Sequence, residues 1–123
     1  MATTVKGNKP FWGMVIYEKR GDGTLFGEWK NNGLSNDSIL SEIARKNDNN
    51  TSIEGVYTVS WIEENGQPHN GSLKIDQIEN GAALSFIWQE GNTEVFRGMG
   101  MPIGLDRIAV TYWDTQAPLQ LNF

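Results

Sequence analysis

Residues 93–114, TEVFRGMGMPIGLDRIAVTYWD, decide the fold. Two runs in which successive side chains alternate in character, TEVFRGMG (93–100) and RIAVTYWD (107–114), are separated by the turn sequence MPIGLD. A two-residue period belongs to a pleated strand, and two such runs around Gly, Pro and Asp read as an antiparallel hairpin. In the second run Ile108, Val110 and Tyr112 share one face while Ala109, Thr111 and Trp113 share the other. Tyr112 and Trp113 therefore cannot both point into a core from a regular strand. In the first run Phe96, Gly98 and Gly100 alternate with Val95, Arg97 and Met99. Glycine at every second position admits a ring or another backbone at close range, or lets the strand coil sharply. The segment is explained by closure of a sheet, and the aromatic left on its second face points to contact with another subunit.

Working outward, the same pattern recurs along the chain. FWGMVIY (11–17) and TLFGEWK (24–30) flank EKRGDG as a hairpin; IEGVYTVSWI (53–62) sets Tyr57, Val59 and Trp61 on one face. GSLKIDQI (71–78) follows the turn residues ENGQPHNG, and AALSFIWQ (82–89) lies between Asn80-Gly81 and Gly91-Asn92. These are seven strands at short spacing, with APLQLNF (117–123) as a candidate eighth. The pattern predicts an all-β domain spanning residues 1–123, an antiparallel up-and-down meander of seven or eight strands. Such a meander closes into a small barrel, or folds into a sandwich, to remove its edges. One interval, LSNDSILSEIARKNDNNTS, breaks the period. Ile39, Leu40, Ile43 and Ala44 fall at helical spacing, Ser35, Asn36 and Asp37 can cap a start, and Arg45-Lys46 suit a helix C-terminus. A short helix around residues 37–46 is the expectation, a strand with a ragged edge the alternative.

A chain of 123 residues is long enough to bury one core without cross-links. It contains no cysteine, which excludes disulfides, a thiolate nucleophile and Cys-ligated metal. The net charge of -5 and pI near 4.8, with the 10 basic residues scattered, argue against nucleic acid and anionic membrane as partners. MATTVKGNKPFWG carries no secretory apolar run, and no stretch nears the roughly 18 apolar residues of a membrane span. A cytoplasmic location is expected.

No catalytic residue, metal or cofactor is expected. His69, the one histidine, sits in the polar turn QPHNG with no His or Cys partner for a zinc site or a nucleophile relay. Glu63, Glu64, Glu90 and Glu94 flank turns, where carboxylates are solvated. Arg20-Gly21-Asp22 is explained by the geometry of a hairpin turn, and the N-x-S/T triplets at Asn36, Asn50 and Asn70 mark polar loops.

GTLFGEWKNNGLSNDS (23–38) followed by IEGVYTVSW (53–61) resembles the opening of the avidin family. More broadly it resembles the calycin group of lipocalins, fatty-acid-binding proteins and avidins, meander barrels with G-x-W near the first strand. Here that motif is Gly27-Glu28-Trp29. The chain departs from the family pattern in three ways: a complete hairpin precedes the motif, the turn residues from Asn31 to Ser35 stand in altered order, and an insertion runs to Gly55. The resemblance implies a barrel enclosing a small ligand, with Asn31, Ser35 and Tyr57 hydrogen-bonding a ureido-type head. Trp88 and Trp113 would then be apolar walls beside Trp29. Five tryptophans are enough to build such a pocket. The expected function is thus non-enzymatic binding of a small apolar or mixed ligand inside an aromatic-lined barrel. Two alternatives stand beside it: an oligomeric interaction or structural protein with a filled core, and a carbohydrate binder using Trp12, Trp61, Asn65 and Asn70.

Overall fold

In the computed structural model, which describes residues 10–34 and 37–115, eight antiparallel strands follow one another around a closed barrel. They are β1 (Gly13–Lys19), β2 (Leu25–Asn31), β3 (Leu40–Lys46), β4 (Gly55–Ile62), β5 (Pro68–Ile78), β6 (Ala83–Glu90), β7 (Thr93–Ile103) and β8 (Arg107–Asp114). Each pairs with its successor, and β8 returns to β1 with Tyr112 opposite Gly13, so no edge is left open. The alternation read from the sequence is the alternation of the wall. On β4, for example, Tyr57, Val59 and Trp61 are buried inside while Val56, Thr58, Ser60 and Ile62 face out. Between β4 and β5 the turn is tight, and Gly66, at a φ of +83°, supplies its left-handed residue.

The helix expected around residues 37–46 is not formed, because residues 40–46 are strand β3. Its apolar spacing is real, but tertiary pairing overrides it. A helix of this length is marginal alone, whereas the strand forms a ladder with both β2 and β4. Leu40, Glu42 and Ala44 turn inward, Ser41 and Arg45 outward. With β3 the count reaches eight without any contribution from APLQLNF, which lies outside the described residues.

Large rings fill the interior. Tyr17, Tyr57, Tyr112, Trp29, Trp61, Trp88, Phe86 and Phe96 are each at most 1% exposed. An eight-stranded barrel is just wide enough for its own side chains to fill it. The even-numbered strands run in one direction, so Trp29, Trp61 and Trp88 lie toward the same end of the barrel despite their unequal spacing in sequence. On β8 the inward position is taken by Tyr112, and Trp113 falls outside. Phe11 packs at that end, 6.0 Å from Phe96 and 5.8 Å from Tyr112 between ring centroids. The glycines of the 93–114 hairpin serve close ring approach. A Cβ on Gly98 would stand 3.1 Å from the Trp88 ring, and one on Gly100 2.9 Å from the Phe86 ring.

Candidate functional site

Polar groups inside this aromatic core define the candidate site. Strand register places Tyr17 opposite Gly27, and Gly27 opposite Glu42. Because Gly27 has no side chain, the Tyr17 ring lies flat across β2; a Cβ there would come within 2.7 Å of it. Tyr17 thereby spans from β1 to β3, and its hydroxyl donates a hydrogen bond to Glu42 Oε2. A second ring repeats the device. Tyr112 crosses Gly13 of β1 to reach β2, where its hydroxyl accepts from Asn31 Nδ2 at 3.1 Å. Ring, glycine and polar partner thus occupy three successive strands in both cases.

Glu42 is 1% exposed. Burial disfavours its charged form and pushes the carboxyl from 4.5 to about 7, against the Tyr17 hydrogen bond, which lowers it. The Tyr17 hydroxyl is raised well above its ordinary value, first by burial and then by the Glu42 charge beside it. Tyr112 is raised too, chiefly by burial. Glu42 Oε1 and the Trp88 indole N–H are both buried without a well-formed hydrogen bond, and the Trp88 indole faces Glu42 and Tyr17, lowering the pKa of each. An unmet polar group of this kind costs about 1–3 kcal/mol.

Of the residues expected from the family resemblance, Trp29, Asn31, Tyr57 and Trp88 are buried and Trp113 is on the outside. Trp29 is buried and its indole N–H donates to the Ser41 carbonyl at 3.3 Å. Asn31 is buried, with Oδ1 accepting from the Gly33 amide at 2.8 Å. Trp88 reaches Asn31 through Tyr112, its ring 5.7 Å from the Tyr112 centroid. Tyr57 faces inward, but its hydroxyl is committed to the Ile53 carbonyl at 2.7 Å, and burial pushes its pKa up to about 12. Trp113 lies on the outer wall, 39% exposed, and does not join the interior rings. Ser35 lies outside the described residues.

Glu42, Tyr17 and Gly27 were not singled out as site residues by sequence. Their signal is the inward alternation of β1, β2 and β3, which the helical reading of residues 37–46 concealed. Trp61, a candidate saccharide platform, is buried instead; its N–H donates to Glu63 Oε1 at 2.7 Å and its ring stacks on His69 at 5.8 Å. His69 lies 3.6 Å from Glu90 in a half-exposed pair. Among the described residues no three His, Cys, Asp or Glu side chains cluster as a metal site, and no helix is long and apolar enough to cross a membrane.

The outer wall carries exposed apolar side chains among its polar ones. Across β7, β8 and β1 the register aligns Met99 with Thr111 and Met14, and Met101 with Ala109 and Ile16. These methionines and Ile16 are 46–57% exposed, and Trp12, just before β1, and Trp113 on β8 are partly exposed as well. On β5 the outward residues are largely polar, Asn70 being hydrogen-bonded to Ser60 at 2.7 Å, while β4 alternates polar Thr58 and Ser60 with exposed Val56 and Ile62.

No protein-family model matches the chain, and no curated protein or solved structure is significantly similar to it.

Proposed function

We propose that this protein is an interaction module: a filled, rigid barrel that associates with a second copy of itself through the outer wall of β7, β8 and β1. The observation that carries this reading is the pairing of a ring-packed interior with an exposed apolar patch on β7, β8 and β1. Rings at 5.4–6.0 Å centroid separation pack against one another in the interior. Exposed Met14, Ile16, Met99, Met101 and Trp113 form a contiguous apolar face, and methionine and aromatic residues are enriched at interfaces. Sedimentation velocity over a concentration series tests it. Wild type is expected to sediment as a dimer, and the double variant Met14→Lys, Met101→Lys as a folded monomer. A wild-type chain that stays monomeric throughout the series refutes the reading.

One observation favours a second reading, the calycin-like binder of a small ligand. Glu42 Oε1 and the Trp88 N–H are buried polar atoms in an apolar interior, without a well-formed hydrogen bond. Such atoms are how binding sites orient a guest. Trp29, Asn31 and Tyr57 would then form the surrounding wall rather than the anchoring pair.

A further inference from the structure

We infer that the two copies exchange a ridge for a groove: the apolar ridge of β7 in each lies in the groove beside β1 of the other. The two-fold axis runs parallel to the strands, between β8 and β1. This geometry rests on the self-association proposed above and specifies which surfaces meet. Two complementary features flank the seam. On one side Met99, Met101 and Ile103 of β7, with the fully exposed Leu105 of the following turn, stand out from the wall. On the other a groove of about 740 Å³ runs over β1, β2 and β3, with Met14, Ile16, Phe26, Ile39 and Ile43 in its lining. Neighbouring strands lie about 4.8 Å apart, so β7 and β2 each stand roughly 7 Å from an axis midway between β8 and β1. Rotation about that axis lays the ridge of each copy on β2 of the other.

Charge and side-chain size along the seam select this axis. Within the chain Glu18 lies opposite Arg107, Ile16 opposite Ala109 and Met14 opposite Thr111. The rotation exchanges β1 with β8, which sets each Glu18 over the partner's Arg107 and each Ile16 over the partner's Ala109. Arg107 lines the groove and makes no ion pair among the described residues; Glu18, held by Arg20 at 3.5 Å, is half-exposed. The two opposite charges therefore meet twice, once on each side of the axis. Ala109 stands between Met101 and Ile16 in one cross-strand row, and its small side chain leaves a hollow for the partner's Ile16. An axis running across the strands would instead set ridge against ridge and groove against groove. Because both copies use the same surface, the assembly closes at two.

Two charge reversals at exposed positions read the exchange. Glu18→Arg and Arg107→Glu each create two like-charge contacts in a homodimer, and each is expected to weaken dimerisation about tenfold or more in sedimentation velocity. Mixed in equal amounts they restore both contacts, so native mass spectrometry of the mixture is expected to show the heterodimer in excess over either homodimer. Repulsion inside each chain is the same before and after mixing, and both variants keep a negative net charge, so neither effect produces the recovery. Ala109→Leu adds apolar surface but fills the hollow, and is expected to weaken the dimer as well; should it not fold, the charge pair decides alone. A monomeric wild-type chain refutes the association and this geometry with it. A wild-type dimer that ignores the single charge reversals, gains no heterodimer on mixing, or is tightened by Ala109→Leu overturns the geometry and leaves the association standing.

Discussion

Replacing Glu42 with Gln should remove a large pH dependence of stability. Gln keeps the shape of the side chain and an oxygen for the Tyr17 hydroxyl, but it cannot ionise. In the wild-type chain the carboxyl titrates near 7 when folded and near 4.5 when free of the fold. The folded chain therefore holds this proton more tightly than the unfolded one. The resulting stabilisation is complete below pH 4.5, declines as pH rises, and is gone above pH 7. Each pH unit between the two values is worth roughly 1.4 kcal/mol, so the full change is about 3 kcal/mol. Urea denaturation of both proteins at intervals from pH 4 to 8 measures it, because titrations elsewhere in the chain cancel in the difference. The wild-type advantage over Glu42→Gln should fall by about 3 kcal/mol across that interval. Parallel curves for the two proteins would refute the argument that Glu42 is buried with a raised pKa.

Two further substitutions test the packing around that carboxylate. Gly27→Ala places a methyl against the Tyr17 ring and against Val15, and should destabilise the barrel by about 1–3 kcal/mol in the same denaturation assay. Trp88→Phe shrinks a fully buried ring and should lower stability by about 2 kcal/mol; a change under about 0.5 kcal/mol would mean that the ring borders empty space rather than core.

Much of the fold was legible because alternation survives wherever inward positions are apolar. FWGMVIY, IEGVYTVSWI and RIAVTYWD each keep an unbroken apolar inner face, and each contains a strand. Residues 40–46 were misread for a physical reason: the inward position at the centre of β3 is a glutamate. A carboxylate at that position reads as surface unless its partners are known, and Tyr17 lies two strands away in the barrel. The same gap hid the site. Gly27-Glu28-Trp29 reads as a family motif, whereas the role of Gly27 here is steric and depends on which ring crosses it. The period of β8 established that only one of Tyr112 and Trp113 faces inward; choosing between them required the pairing of Tyr112 with Gly13.

The seam between β8 and β1 also bears on folding kinetics. Every other strand pair joins neighbours in the chain and closes a short loop, while this pair must bring the first and last strands together. Loop-closure entropy makes such a contact the slowest to reward its formation. Tyr112, lying over Gly13 and bonded to Asn31, stitches three strands at this seam. Weakening that stitch should leave the folding rate nearly unchanged and accelerate unfolding, the behaviour of contacts made after the rate-limiting step. Tyr112 would then act as a latch whose strength sets the lifetime of the closed barrel.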